Sequence, residues 1–246
     1  METNNHPKVS VITVSFNAVK EIEKTILSVL NQTYDNIEYI IIDGGSTDGT
    51  VDIIKKYADR LAYWVSEPDG GIYYGMNKGI KAATGEWINF MNAGDTFYNS
   101  NVIQDVFNKV YGQETKVIYG NVYKKMSDSS QSILKSKPIS YMNRYIPFCH
   151  QAEFIKNYDK EEISFQVARY KLCADYDVAF RIYEKYGAFA FEKIDKTIAI
   201  FDFTGASNTK GKQVFLENLD IRSSHKDVYW YWDDFKVKIK RIIGLD

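Results

Sequence analysis

Apolar positions along this chain recur with two different spacings that alternate. Val9-Ser-Val-Ile-Thr-Val-Ser15 is β-branched and reads as a buried strand, after which Ile22, Ile26, Val29 and Leu30 fall on one helical face. Asn17 is placed to cap that helix, and Glu21 and Glu23 suit the positive end of its dipole. A second strand over residues 37–42 runs into Asp43-Gly-Gly-Ser-Thr-Asp-Gly-Thr50, and Val51, Ile54 and Tyr57 restart the helical spacing. Residues 62–65 predict a short strand and Glu67-Pro-Asp-Gly-Gly71 a turn. Residues 73–83 predict a helix with Met76 and Ile80 on one side, and residues 87–91 a further strand. Strands alternating with helices over residues 9–95 imply an α/β protein with a parallel, doubly wound sheet.

Beyond residue 95 the pattern predicts a helix over 102–111, a strand over 116–123, and a polar, Ser-rich loop or hairpin over 126–137. Residues 136–151 carry two of the four prolines and read as a surface meander. A helix over 172–186 places Leu172, Tyr176, Ala179, Tyr183 and Tyr186 on one face. A strand over 197–201, a loop rich in small residues over 202–211 and a helix over 213–224 follow. The tail carries Phe235-Lys-Val-Lys-Ile-Lys-Arg-Ile-Ile243, preceded by Tyr229-Trp-Tyr-Trp232.

Three bulk properties narrow the function. A length of 246 residues fits one large α/β domain. Thirty-one basic against 32 acidic residues argue against a general nucleic-acid binder with a broad electrostatic footprint, so a polyanionic ligand must be met locally. Cys149 and Cys173 have no metal or redox spacing, which suits a reducing cytoplasm. Residues 1–8 lack the apolar stretch of a signal peptide, and no run approaches the ~20 apolar residues of a membrane span, so a soluble or surface-bound protein is expected.

The stretch Trp87-Ile-Asn-Phe-Met-Asn-Ala-Gly-Asp95 carries the sharpest chemical signal, an apolar strand delivering a carboxylate to a small polar turn. Open α/β sheets bind ligands outside the carboxyl ends of their strands. Asp95 there has two readings, as ligand of a hard divalent cation or as cap of the next helix. The turns after Ser15, Asp43 and Asn92 should gather at one sheet edge as a nucleotide-sized crevice. Asp43 could accept the imino N–H of a pyrimidine there, with Gly44 and Gly45 letting the backbone approach a flat base. A dinucleotide-dependent oxidoreductase would want G-x-G-x-x-G after the first strand, where Ser15-Phe-Asn17 stands instead.

Four segments taken in order, Val9 to Asn17, Ile42-Asp-Gly-Gly-Ser-Thr-Asp-Gly-Thr50, Asp69-Gly-Gly-Ile-Tyr-Tyr-Gly-Met-Asn-Lys-Gly79 and Asn92-Ala-Gly-Asp95, resemble the nucleotide-binding half of glycosyltransferase family 2. The resemblance implies a GT-A fold, a nucleotide-activated sugar donor, a divalent metal (Mn2+ or Mg2+) and inversion at the anomeric carbon. It places Thr13 and Asn17 along the nucleotide, Asp43 at the base, Asp69 near the ribose or sugar, and Asp95 on the metal. Asn92 stands where the family usually has the first carboxylate of Asp-x-Asp, which keeps an oxygen ligand and loses a charge. Ala174-Asp175-Tyr176-Asp177 resembles the Glu-Asp pair that supplies the family's general base, making Asp175 the expected base. Asp177, four residues before Arg181, is expected to form a helical salt bridge. Cys149-His-Gln-Ala152 resembles the acceptor-side segment, so His150 is expected at the acceptor or a donor phosphate. Thr204-Gly-Ala-Ser207 resembles a lid loop beside which Lys210 and Lys212 could meet pyrophosphate.

On this reading residues 1–100 form the nucleotide-sugar-binding half of a single GT-A domain, 101–224 the acceptor and base half, and 225–246 a basic, aromatic tail. The expected activity is metal-dependent, inverting transfer of a sugar from a uridine diphosphate donor to a carbohydrate acceptor, lipid-linked, in surface polysaccharide synthesis. Two rivals remain: a nucleotidyltransferase, and a nucleotide-sugar-binding module that has lost catalysis at Asn92 and Ala174. The tail's alternation of basic and apolar residues gives no clean helical face, which leaves contact with an anionic membrane surface, a solvated tail and an oligomer contact all open.

Overall fold

The computed structural model describes residues 6–125, 131–202 and 211–242. One nine-stranded sheet organises them, and its first half is parallel throughout. The β-branched run β1 (Val9–Ser15) lies between β2 (Ile37–Asp43) and β4 (Trp87–Phe90), and β3 (Tyr63–Ser66) flanks β2. The register sets Ser15 beside Asp43 and Asp43 beside Ser66, so three hydroxyl or carboxyl side chains meet at the strands' carboxyl ends. Beyond β4 the sheet is mixed. β8 (Glu153–Lys156) joins β4 antiparallel, and β6 (Val117–Lys125) and β9 (Phe191–Asp202) follow. β5 (Thr96–Phe97) closes the far edge, and β7 (Gln131–Leu134) forms a hairpin arm on β6.

Both faces of the sheet are covered, as continuous apolar strands require. On one face α1 (Ile22–Leu30), α2 (Thr50–Lys56) and α4 (Val102–Phe107) bury Ile22, Ile26, Ile54 and Ile103 against Val9, Val11 and Ile41. On the other, α3 (Ile72–Ala82) packs over β1 and β2, and its Tyr73, Met76 and Ile80 share one core with Ile12, Val14, Ile40 and Ile42 and with Ala174 and Val178 of α5 (Ala174–Tyr186). Helix α3 lies unusually close to β1 because Gly75 and Gly79, one turn apart, face the sheet. A Cβ on Gly79 would stand 2.4 Å from Ile12 Cγ2, and one on Gly75 2.6 Å from Val14 Cγ1.

The structure departs from the sequence pattern in several places. Asn17 does not cap α1. Glu21 occupies the cap position with no side-chain bond, and Asn17 adopts a left-handed φ of 47° to tie its loop to the next one. Helix α4 stops at Phe107 rather than 111, and Tyr111 folds back to donate its hydroxyl to the Val106 carbonyl at 2.7 Å. Strand β9 begins at Phe191, well before 197, while β5 and β8 are too short to show a period. The tail is a helix, α7 (Val228–Ile242), following α6 (Gly211–Ile221), and is fastened to the body along one side. The buried guanidinium of Arg222 meets Asp233 at 3.0 Å, and Trp230 Nε1 donates to the Leu219 carbonyl at 2.9 Å.

Candidate active site

The turns after β1, β2 and β4 gather at one edge, as the strand order dictates. Asp43 is fully buried at their centre. Its Oδ1 accepts from Ser15 Oγ (2.8 Å) and Ser46 Oγ (2.6 Å), and its Oδ2 from the amides of Gly45 (3.1 Å) and Ser46 (2.8 Å) and from Ser66 Oγ (2.7 Å). Burial alone would raise its pKa, but these donors outweigh it and hold the carboxyl below its ordinary value. Five donors fill a carboxylate's acceptor positions. Asp43 therefore organises the crevice floor here, and it could accept from a base, the role expected from its position, once one of the three serine hydroxyls turned away.

Thr13 is likewise buried, its hydroxyl engaged by Tyr39 at 2.9 Å and donating to the Met91 carbonyl at 2.7 Å, so its side chain does not line the crevice. Asn17 is exposed at the rim, and its Oδ1 accepts from the Thr47 amide at 3.0 Å. Asp69 faces inward between two glycines: a Cβ on Gly44 or on Gly75 would sit 3.3 Å from one of its oxygens. One of these, Oδ1, accepts from the Gly71 amide at 2.8 Å, while Oδ2 is buried with no partner. A buried acceptor left open at a crevice is where a ligand hydroxyl fits.

A second cluster stands beside β4. Asp95 caps no helix, since β5 follows it directly and Asn101 occupies the cap of α4. Its turn is latched by Thr25 of α1, which donates to the Asp95 carbonyl at 2.8 Å and accepts from the Gly94 amide at 3.0 Å. Gly94 takes a φ of 106°, a conformation glycine adopts without strain. Gln151 Nε2 donates to Asp95 Oδ2 at 2.9 Å. Its neighbour His150 bridges the halves of the site, with Nε2 3.2 Å from Asn92 Nδ2 and Nδ1 3.5 Å from Asp175 Oδ2. Nδ1 thus faces the Asp175 carboxylate, where its N–H would donate.

Asp175 lies in the first turn of α5, inside the cap position held by Cys173. The Tyr73 hydroxyl of α3 donates to its Oδ1 at 3.1 Å. Burial would raise the Asp175 pKa, but the hydrogen bond and charge of His150, the Tyr176 amide and the Tyr73 hydroxyl hold it below the ordinary carboxylate value. Glu153 is buried nearby with an unpartnered Oε2, and burial followed by the Asp175 charge holds its carboxyl well above the ordinary range. Burial, then the Asp95 charge, also keeps the Cys149 thiol protonated. Asp177 behaves as its spacing predicts, 3.0 Å from Arg181 on the next turn.

Lys210 and the segment Thr204 to Ser207 lie outside the described residues. Sequence reasoning missed Tyr73, Gln151 and Thr25. The first two sit inside segments singled out for other residues, whereas nothing about Thr25 distinguishes it from any helical threonine.

A divalent metal can be tested against these groups. Among the described residues no cluster of three or more His, Cys, Asp or Glu side chains could hold an ion alone. Asn92 Oδ1 is nevertheless buried without a partner, three residues from the Asp95 carboxylate, and both are the oxygen donors that hard cations take. The residues fit a cation whose remaining ligands come from a diphosphate.

Comparison with known proteins points the same way. At 28% identity over 220 residues, covering 87% of this chain and 85% of the relative, the chain resembles a PGL/p-HBAD biosynthesis glycosyltransferase of Mycobacterium bovis. It is 42% identical over 108 residues to an uncharacterized glycosyltransferase of Mycobacterium tuberculosis, a match spanning 44% of this chain and 41% of that protein's length. Among solved structures, S. aureus TarS residues 1–349 in complex with UDP-GlcNAc superpose with a TM-score of 0.69 at 17% identity, covering 92% of this chain and 69% of that one. The mannosyltransferase PcManGT of Pyrobaculum calidifontis, in complex with GDP-Man and Mn2+, superposes with a TM-score of 0.66 at 16% identity over 88% and 63% of the two chains. These likenesses identify the fold as GT-A. Since the model for glycosyl transferase family 2 matches residues 10–181, most of the sheet and both clusters included, the chain belongs to that family.

Proposed function

We propose that this chain transfers a sugar, with inversion, from a nucleotide diphosphate donor to a hydroxyl of a carbohydrate acceptor. The observation that carries the reading is the Asn92-His150-Asp175 bridge, which fixes a carboxylate beside the turn bearing Asp95. Asp175, ionised at neutral pH, takes the acceptor hydroxyl's proton as that oxygen bonds the anomeric carbon and the carbon–oxygen bond to the diphosphate breaks. Tyr73 and His150 hold its two oxygens in place and leave the rest of their lone pairs for the incoming proton. Asp95 and Asn92 Oδ1 would hold Mn2+ or Mg2+, which when bound offsets negative charge on the departing diphosphate. The open Asp69 Oδ2 is assigned to a ribose or sugar hydroxyl, and Asn17 to the nucleotide rim.

Uridine is proposed as the base by analogy with TarS, whose structures hold UDP and UDP-GlcNAc. A lipid-linked acceptor in surface polysaccharide synthesis, met by a cytoplasmic enzyme held peripherally at the inner membrane surface, is the setting proposed, on the exposed aromatic residues of α7. A catalytically silent binding module is the second reading, favoured by Asn92 and Ala174 standing where the family has acids.

The test is Asp175→Asn, which should lower transfer by ~10²–10⁴-fold while leaving donor and metal affinity nearly unchanged. Asp177→Asn serves as the control, since Asp177 is taken up by Arg181 on the next turn and its loss should show in melting temperature rather than as a selective loss of turnover. Equal, small losses in both variants would remove Asp175 as the base, and donor binding without turnover in the unaltered chain would establish the second reading.

A further inference from the structure

Helix α7 presents two faces with different tasks. Taking 100° per residue, Trp230, Asp233, Asp234 and Val237 cluster on one side, and all four are half-buried. This side is fastened to the body through the Arg222–Asp233 ion pair and the Trp230 indole. The opposite side carries Val228, Tyr231, Trp232, Phe235 and Ile239, between 39% and 74% exposed. Those five fall within about 100° of arc, a continuous apolar stripe that the alternating sequence conceals because its basic residues sit just beside it. Lys236 flanks the stripe on one edge and Lys238 on the other, with side chains 49% and 68% exposed. Arg144 adds a cation on the Lys236 side, its guanidinium 3.9 Å over the Tyr229 ring.

The geometry points to α7 as a docking helix that lies in the interface of an anionic bilayer, its stripe among the acyl chains and its flanking cations at the lipid phosphates. An apolar face edged by lysines, with tryptophan and tyrosine at the boundary, is the composition of an in-plane interfacial helix. No described helix is long and apolar enough to cross a membrane, so contact would be with one surface. Charge favours lipid over a second copy of this chain. Pairing two such stripes about a two-fold axis would bring Lys236 and Lys238 against the same lysines, while the helix's own acids point towards the body. Each lysine does meet one of those acids, Asp233 at 3.1 Å and Asp234 at 2.6 Å. Surface pairs of this kind exchange readily for phosphate.

This inference supplies the surface on which the proposed transferase would meet a lipid-linked acceptor, and so rests on that reading for its purpose but not for its test. The 246-residue chain is sedimented with vesicles of phosphatidylcholine alone or mixed with phosphatidylglycerol. Binding is expected only to the mixed vesicles, to weaken with salt, and to fall at least ~10-fold on replacing Trp232→Ser and Phe235→Ser together. Replacing Lys236→Gln and Lys238→Gln should erase the preference for the anionic lipid. Both double variants change exposed positions, and donor hydrolysis without vesicles should be unaffected in each, which separates this result from any failure of the transferase assignment. Absence of binding to mixed vesicles, or equal binding by the Trp232→Ser, Phe235→Ser protein, would overturn the inference. So would light scattering showing a dimer that this variant dissolves.

Discussion

Replacing Asp43 with Ala distinguishes a carboxylate that reads the base from one that builds the crevice. The substitution removes the acceptor of five hydrogen bonds, three from serine hydroxyls and two from backbone amides. The hydroxyls can rotate towards water entering the vacated space. The amides of Gly45 and Ser46 cannot, and each loses a bond to a charged group worth ~1.5–3 kcal/mol. With part of this recovered by water reaching the amides, a net loss of about 3–5 kcal/mol follows, a large share of the ~5–15 kcal/mol that holds a typical domain together. For a chain of this size that lowers the melting temperature by about 6–20 °C at ~2–4 °C per kcal/mol. The pH dependence has the matching sign. A carboxyl with a folded pKa below its unfolded value adds stability that is fully present above the unfolded pKa and is lost as pH falls through the folded one. The variant should therefore show a shallower loss of stability below about pH 4 than the parent. Calorimetric melting at several pH values measures both effects. An Asp43→Ala protein that melts like the parent yet no longer binds UDP would refute the assignment and return Asp43 to the base.

Two further outcomes test the surrounding scaffold. Asp95→Asn should abolish the enhancement of donor binding by Mn2+ in titration calorimetry, since a neutral amide cannot replace the charge facing the cation; an enhancement that survives would remove Asp95 from the metal site. Gly79→Ala should destabilise despite alanine's better helix propensity. Its methyl meets Ile12 Cγ2 at 2.4 Å in a packed interface, where overpacking costs ~1–3 kcal/mol against the ~1 kcal/mol gained, and chemical denaturation that shows a more stable protein would contradict the close approach of α3 to β1.

The parallel half of the fold was legible because its signals are local. Residues 9–15 and 37–43 are strands buried on both faces, and such strands announce themselves as unbroken apolar runs. Strands β5 and β8 hold two and four residues, too few for a period to emerge, and they take their conformation from partners distant in the sequence, β9 for β5 and β4 and β6 for β8. The site divides in the same way. Asp95 and Asp175 stand out because each ends or opens a predicted element. The saturation of Asp43 could not be foreseen, since two of its five donors, Ser15 and Ser66, arrive through strand register. The stripe on α7 escaped for a different reason. Inspection by alternation mixes Lys236 and Lys238 into the apolar positions, and only the helical angle separates them.

The segment from Cys149 to Glu153 explains how the two halves act together. It is a single turn leading into β8, the strand that seams the parallel half of the sheet to the mixed half. Within three consecutive residues it sends the Cys149 thiol to Gln151 Oε1, His150 to both Asn92 and Asp175, and Gln151 to Asp95. Asn89 of β4 locks this turn from below by donating to the carbonyls of Gln151 (3.2 Å) and Glu153 (2.8 Å). Through His150 and Gln151 the turn is thus tied at once to the proposed base and to the proposed metal-holding carboxylate. Keeping them in a fixed relation is what in-line displacement demands, since attack and departure occur on opposite sides of one carbon. Tyr73 completes the constraint from the other face, because the two glycines that let α3 settle onto β1 are what bring its hydroxyl within 3.1 Å of Asp175.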